Sequence, residues 1–229
     1  MKLSDRLQAV ADSVSKNLII ADIGTDHGYI PIYLVQNGIC EKAFAMDINE
    51  GPILRAKEHI IENGLEDKIE TRISNGFEKM VSGEASGAVI AGMGGELVVS
   101  ILKNGLDVVR ELQEMVISPH SEINLVRKYL HEIGFKIIDE KMIIDDGKFY
   151  TIIKTIHGED KKYSETEYKY GAVLIEKKDK ILLEFLHKEH NKLTTIIDNL
   201  KGNNNENAKK RVEEIKEELM GINELLKLF

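Results

Sequence analysis

Residues 18–34 read LIIADIGTDHGYIPIYL, and the fold turns on them. The run 18–23 is apolar and short, and it leads into Gly24. Such a run reads as a strand buried on both faces, followed by a tight turn. Residues 29–36 then read as a helix. Upstream, Leu3, Leu7, Val10 and Val14 share one face at helical spacing, which predicts an amphipathic helix over 3–14. Downstream, a second apolar run, 43–48, carries an acid, Asp47, near its end. Pro52 suits the first turn of a helix that stops at Asn63-Gly64. Strands at 69–74, 87–91 and 115–118 follow, with one helix opened by Gly94-Gly95 and another over 123–133. This alternation builds parallel βαβ units, and right-handed crossovers put helices on both faces of one sheet.

After Gly134 the pattern changes. Residues 136–144 and 148–157 read as strands with only Asp145-Asp146-Gly147 between them, and Asp-Gly marks a tight hairpin. The fold class is therefore α/β: a doubly wound, seven-stranded sheet of five parallel strands closed by an antiparallel hairpin. The polar stretch 159–162 is a break. Beyond it Leu182, Leu186, Leu193, Ile197 and Leu200 recur at heptad-like spacing, and Ala208, Val212, Ile215, Leu219, Ile222, Leu226 and Phe229 alternate by four and three. Lys201-Gly202 and the asparagines after it read as the loop of a helical coiled-coil hairpin. Two domains are expected, 1–160 and 161–229.

The 229 residues can bury a sizeable core, and the mixture of 42% hydrophobic and 31% charged residues is that of a soluble protein. No apolar run is long enough to cross a membrane, and the N-terminus lacks the apolar centre of a signal peptide. Cys40 is the one cysteine, so no intrachain disulfide forms; a packing role and a cytoplasmic location are expected. The net charge of −8 speaks against a large nucleic-acid footprint without excluding a local one. No metal site is expected, since the seven histidines are scattered. His187 and His190, three apart on a helix, read as surface residues.

The chemistry concentrates at strand ends. Asp22, Gly24, Asp26, His27 and Gly28 follow the first strand, where ligands of doubly wound sheets bind. The glycines are spaced GxxxG, which is neither the dinucleotide fingerprint nor a phosphate loop. Acids here would repel a pyrophosphate. S-adenosylmethionine, cationic and free of phosphate, fits better. Asp22 or Asp26 can accept from its ammonium, and Asp47, beside Ile48, can take both ribose hydroxyls. The competing reading of Asp22 and Asp47 is helix capping. Gly92, Met93 and Gly94, in Ala-Gly-Met-Gly-Gly after the fourth strand, suggest backbone packed against an adenine or a substrate base, or a tight turn. Met93 serves an adenine face or the core. Asn75 and Gly76 can edge the adenine pocket. His27 and Tyr29 can stack a flat substrate. His120, in Ser118-Pro119-His120, is a substrate contact or an exposed loop residue.

DIGTDHGYIPIYL, AGMGG, the SPH segment and the terminal coiled coil together resemble the bacterial tRNA (adenine(22)-N(1))-methyltransferases over nearly the whole chain. The resemblance implies a class I methyltransferase domain using S-adenosylmethionine, a tRNA substrate, and a hairpin that helps to hold it. It places donor binding on Asp22, Gly24, Gly28, Asp47, Gly92, Met93 and Gly94. Asp26 stands where methyltransferases usually have the middle glycine of Asp-x-Gly-x-Gly-x-Gly. No Asn-Pro-Pro-Tyr segment is present, which disfavours methylation of an exocyclic amine. The catalytic residues expected on this reading are Asp26, His27 and Tyr29, in a monomer. Lysines along the hairpin contact tRNA, or they belong to an ordinary solvated face. The alternatives are a methyltransferase with another substrate, a non-catalytic binding module and, more weakly, a nicotinamide dehydrogenase.

Overall fold

The computed structural model describes residues 2–200 and 205–229. It divides into two compact units, Met1–Lys162 and Tyr163–Phe229. The first begins with α1 (Asp5–Ala11), capped by the Ser4 hydroxyl, which accepts from the Leu7 amide at 3.3 Å. The helix is shorter than its apolar stripe. Ser13 turns back on the helix end, its hydroxyl donating to the Ala9 carbonyl at 2.8 Å, and Asn17 adopts a left-handed φ of 66°. Leu3 and Val14 are buried all the same, from outside the helix.

The sheet comprises β1 (Ile20–Ile23), β2 (Ala43–Asp47), β3 (Ile69–Ile73), β4 (Gly87–Ala91), β5 (Glu114–Ser118), β6 (Phe135–Asp145) and β7 (Lys148–His157). Its order is β3-β2-β1-β4-β5-β7-β6. The pairs among β1 to β5 are parallel, whereas β7 pairs antiparallel with both β5 and β6. The strand order therefore reverses between β1 and β4, and ligands of open α/β sheets bind beyond the strand ends at such a point. Between the strands run α2 (Tyr29–Gln36), α3 (Glu50–Glu62), α4 (Gly95–Asn104), α5 (Leu106–Val109) and α6 (Ile123–Glu132). The short α5 has no counterpart in the sequence reading.

Val89 and Val116 in mid-sheet, Ile32 and Leu34 of α2 and Ile60 of α3 anchor the core. Cys40 joins it, and burial pushes its thiol up to about 11, as befits a packing residue. On the far side of the sheet, Arg127 of α6 and Glu140 of β6 are 1% and 2% exposed, with Nε donating to Oε1 at 2.7 Å.

The second unit holds α7 (Glu165–Tyr170), α8 (Ala172–Glu176), α9 (Lys180–Leu200) and α10 (Glu206–Leu226). Helices α9 and α10 pack together. Leu182, Leu186 and Leu193 are buried on one, and Ala208, Ile215, Ile222 and Leu225 on the other. The expected loop at Lys201-Gly202 lies outside the described residues. Among the described residues no helix is long and apolar enough to cross a membrane.

Removing one partner of a buried ion pair strands the other's charge. Glu140→Ala is therefore expected to cost roughly 3–5 kcal/mol in denaturant unfolding, while Arg127→Met with Glu140→Leu stays close to wild type. Equal losses in the two variants would disprove this account.

Candidate functional site

The loop after β1 is held open by backbone conformation. Gly24, Asp26 and Gly28 all have positive φ, at 78°, 50° and 72°. The Gly24 and Thr25 amides both donate to the Met46 carbonyl, at 2.7 and 2.9 Å, tying the loop to the end of β2. Asp26 thus adopts the left-handed conformation that a glycine would favour, and aspartate is among the residues that tolerate it. Its carboxylate accepts from Arg55 Nη2 of α3 at 2.8 Å, and His27 Nε2 lies 3.4 Å from its other oxygen.

A cleft of about 240 Å³ opens here, lined in part by Asp22, Gly24, Asp26, His27, Tyr29 and Gly92. Six of the residues singled out from sequence thus meet at the reversal between β1 and β4. The sequence reading missed Arg6, Leu7, Thr25, Ile30 and Ala91, which also line it. Tyr29 is stacked with His27 and His59, at ring-centroid distances of 5.1 and 5.3 Å. The His59 imidazole Nδ1 lies 2.8 Å from the His27 carbonyl.

The other predicted residues lie outside the cleft. The Asp47 carboxylate accepts from the Asn49 amide at 2.9 Å, a turn ahead of α3 and not a helix cap, since Asn49 is the N-cap residue and no side chain caps that helix; its Oδ2 has no partner among the described residues. Ile48, directly after it, is 60% exposed. Exposed Asn75 donates to Glu78 at 2.8 Å. Gly28 and Gly76 serve packing: a Cβ on Gly28 would stand 3.2 Å from Ala56, and one on Gly76 would stand 2.8 Å from Ile101. Gly94 sits against Ser121, and a Cβ on its neighbour Gly95 would stand 2.5 Å from the Glu122 carbonyl oxygen. Met93 lays its methyl over Gly24, so the two glycine loops touch. His120 is exposed, and its amide donates to the Met93 carbonyl at 2.9 Å.

Asp22 is the electrostatic centre of the cleft. It is 3% exposed and has no cationic partner among the described residues. Burial pushes its carboxyl from an ordinary 3.8 up to about 7; the nearby Thr25 hydroxyl pulls it back without reaching hydrogen-bond geometry, and the Asp47 charge adds to the rise. Arg6 Nη1, Thr25 Oγ1 and His27 Nδ1, all buried in residues that line the cleft, also lack hydrogen-bond partners. Each such atom costs roughly 1–3 kcal/mol. Their convergence on one cleft suits a polar ligand, and a buried carboxyl without a cation suits one that carries positive charge. Among the described residues no cluster of three or more His, Cys, Asp or Glu side chains could hold a metal.

Residues 3–153 match a family described as a methyltransferase domain. The chain is 37% identical over 153 residues to the tRNA (adenine(22)-N(1))-methyltransferase of Bacillus subtilis, a match covering 67% of this chain and 64% of that protein. The crystal structure of the B. subtilis m1A22 tRNA methyltransferase TrmK superposes with a TM-score of 0.89 and 30% identity, covering 98% of this chain and 99% of that one. M. capricolum TrmK, solved in complex with S-adenosylhomocysteine, superposes with a TM-score of 0.86 and 28% identity over 100% and 99% of the two chains.

Because folding raises the Asp22 pKa, the protonated carboxyl favours the native state. That contribution is full below pH 3.8 and is lost as pH rises through about 7. Asp22→Asn keeps a neutral side chain at every pH. It is expected to be more stable than wild type by roughly 4 kcal/mol at pH 8, with the gap closing toward pH 4. Thermal unfolding across that range tests this, and parallel curves for the two proteins would refute it.

Proposed function

The chain belongs to the methyltransferase-domain family, and we propose that it transfers the methyl group of S-adenosylmethionine to N1 of adenosine 22 in tRNA. The observation that carries this reading is the buried, cation-free Asp22 carboxyl in a cleft at the strand-order reversal. When bound, S-adenosylmethionine supplies a methyl group already activated on a sulfonium. The protein's task is then alignment and charge management.

Asp22 takes the donor's ammonium, a charge-assisted contact that keeps the carboxyl ionised. Gly92 and Gly24 line the cleft, Gly24 beneath the Met93 methyl for which its missing side chain makes room. Asp47 offers its unpartnered Oδ2 to the ribose hydroxyls, and exposed Ile48 gives the adenine an apolar face. Asn75, Gly76, Met93 and Gly94 border that pocket. The target adenine stacks on the His27–Tyr29–His59 cluster after leaving its helix. Attack by N1 moves the positive charge from sulfur to the adenine ring. His27 Nδ1, buried without a partner, can accept from the exocyclic amine, whose acidity rises with that charge. Asp26 faces the ring's charge, partly neutralised by Arg55.

The unit Tyr163–Phe229 is assigned to tRNA contact, and the domain Met1–Lys162 to donor binding and catalysis. Lys192 and Arg211 already pair with Glu189 and Glu214 on their own helices, so a phosphate must displace those acids. A tRNA substrate implies a cytoplasmic protein, and a single chain carries every residue the reading uses.

Incubation with unmodified tRNA and methyl-labelled S-adenosylmethionine is expected to yield 1-methyladenosine at position 22. Asp26→Ala and Tyr29→Ala should each lower kcat/KM by roughly 100-fold. Label at another nucleotide, or wild-type rates from both variants, would overturn the proposal.

A second expectation follows from Asp22. The donor's ammonium expels the carboxyl's proton, so affinity for S-adenosylhomocysteine should rise from pH 6 to pH 7.5 with proton release. Calorimetry in buffers of different ionisation enthalpy reads both effects. A pH-independent wild-type affinity, or the same slope in Asp22→Asn, would contradict it.

A further inference from the structure

Helix α3 grips the loop after β1 at three successive points. Arg55 Nη2 donates to Asp26 Oδ1 at 2.8 Å. Ala56 closes on Gly28, where a Cβ would stand 3.2 Å from the alanine methyl. His59 Nδ1 lies 2.8 Å from the His27 carbonyl oxygen, which can only accept, so that nitrogen carries the proton. Arg55 and Ala56 stand four and three residues before His59, the spacings that share a helix face. The His59 ring is also near-parallel to those of His27 and Tyr29, at 22° and 16°, with centroids 5.7 and 5.3 Å away. Asp26, His27 and Tyr29 line the cleft, and Arg55 and His59 do not. The helix thus holds the ligand-facing side chains from outside the cleft.

These contacts are directional. Asp26 Oδ1 is taken by Arg55, and Oδ2 lies 3.4 Å from His27 Nε2. A carboxylate only accepts, so the donors of this edge, on Arg55 and His27, are both turned onto Asp26. The Asp26 side chain is still 60% exposed, and what it offers a ligand is acceptor lone pairs. That pattern separates the purines. Adenine carries an amine beside N1, which donates. Guanine carries a carbonyl oxygen there, whose lone pairs would oppose those of the carboxylate. Resting on the function proposed above, we infer that Arg55 and His59 are positioning residues for base selection. Acting through Asp26 and His27, they keep this edge of the loop an acceptor for the exocyclic amine of the target adenine. Stability does not explain the Arg55–Asp26 pair, because pairs as exposed as this contribute little to folding. An Asp26 released from Arg55 is free to swing, and the proton of a neutral His27 can then sit on either nitrogen, which erases the preference.

The test uses full-length tRNA with either adenosine or purine riboside at position 22, since purine riboside keeps N1 and lacks the amine. Each variant is compared with the wild-type chain on the same substrate, which cancels the intrinsic reactivity of the two bases. Wild type is expected to favour adenosine by roughly 30-fold or more in kcat/KM. Arg55→Met and His59→Phe, which keep the packing, should each lower kcat/KM for adenosine by roughly 10-fold while changing purine riboside by less than about 2-fold. His59→Asn, whose amide keeps a donor near the place of Nδ1, should retain most of the preference. Equal losses on the two substrates would mean that α3 merely packs the loop, and the inference falls. It also falls if wild type treats the two bases alike. A tRNA KM that rises equally for both, with kcat unchanged, would assign Arg55 to a phosphate and overturn it as well. A wild-type protein that methylates neither tRNA would defeat the proposed function itself, a result separable from any effect of Arg55 or His59.

Discussion

A carboxylic acid buried with no cation beside it is an expensive thing to keep, and Asp22 is placed where the fold cannot avoid burying it. It lies in β1, flanked by β2 and β4, and every residue of that strand is buried. A strand covered on both faces normally excludes charge, because desolvation disfavours the ionised form. Here the carboxyl sits near the strand end, where the order of the sheet reverses and the neighbouring crossovers diverge. The sheet thus creates both the crevice and the low-dielectric wall behind it. An uncompensated charge there is stabilised by what arrives from outside, and this is how a static fold comes to prefer a cationic ligand.

The loop that follows shows how backbone and side-chain requirements can be met by one residue. Three of five consecutive residues, Gly24 to Gly28, are left-handed, and glycine would be the least strained choice at all three. At the middle position the chain uses Asp26 and accepts the modest strain of a positive φ. In return it gains a carboxylate within reach of His27 and Arg55. That ion pair is exposed and contributes little to stability, since surface pairs are worth at most about 1 kcal/mol. Its effect is on the orientation of His27 and the charge of the cleft. An aspartate in the glycine pattern therefore marks a change in chemistry while the path of the loop is kept.

Much of this was legible in the sequence because the fold's signals are local. Short apolar runs that end beside glycine give the parallel strands, and Asp145-Asp146-Gly147 gives the hairpin. The capping box Ser164-Glu165-Thr166-Glu167 was equally present, and it opens α7. It went unread because the heptad pattern only begins later, at Leu182. The site was legible where its residues follow strands and hidden where they come from elsewhere. Arg6 precedes the sheet by a helix, and only a basic residue on an otherwise apolar stripe betrays it. The glycines misled in the opposite sense. A run rich in glycine reads as a ligand cradle, yet Gly24, Gly28, Gly76 and Gly94 all admit neighbouring protein atoms, and of these only Gly24, with Gly92, also lines the cleft. Sequence shows that a side chain is missing and does not show what fills the gap.

Under the proposed function, a chain of net charge −8 must also manage long-range repulsion from RNA. The second unit does not present an unmixed basic face: Lys192, Arg211 and Lys216 each pair with an acid three residues away on the same helix. Such pairs are weak, so a phosphate can replace the acid at little cost, but the displaced carboxylate stays nearby and lowers the gain. Binding built this way is modest per contact and sensitive to salt. If this unit contacts tRNA as proposed, such a surface would favour a substrate recognised by shape over several phosphates, with commitment deferred to the cleft. There, burial makes each charge count for far more than it does on an exposed helix. Discrimination would then rest on a base that must leave its helix to reach His27 and Tyr29, while the helical unit supplies proximity.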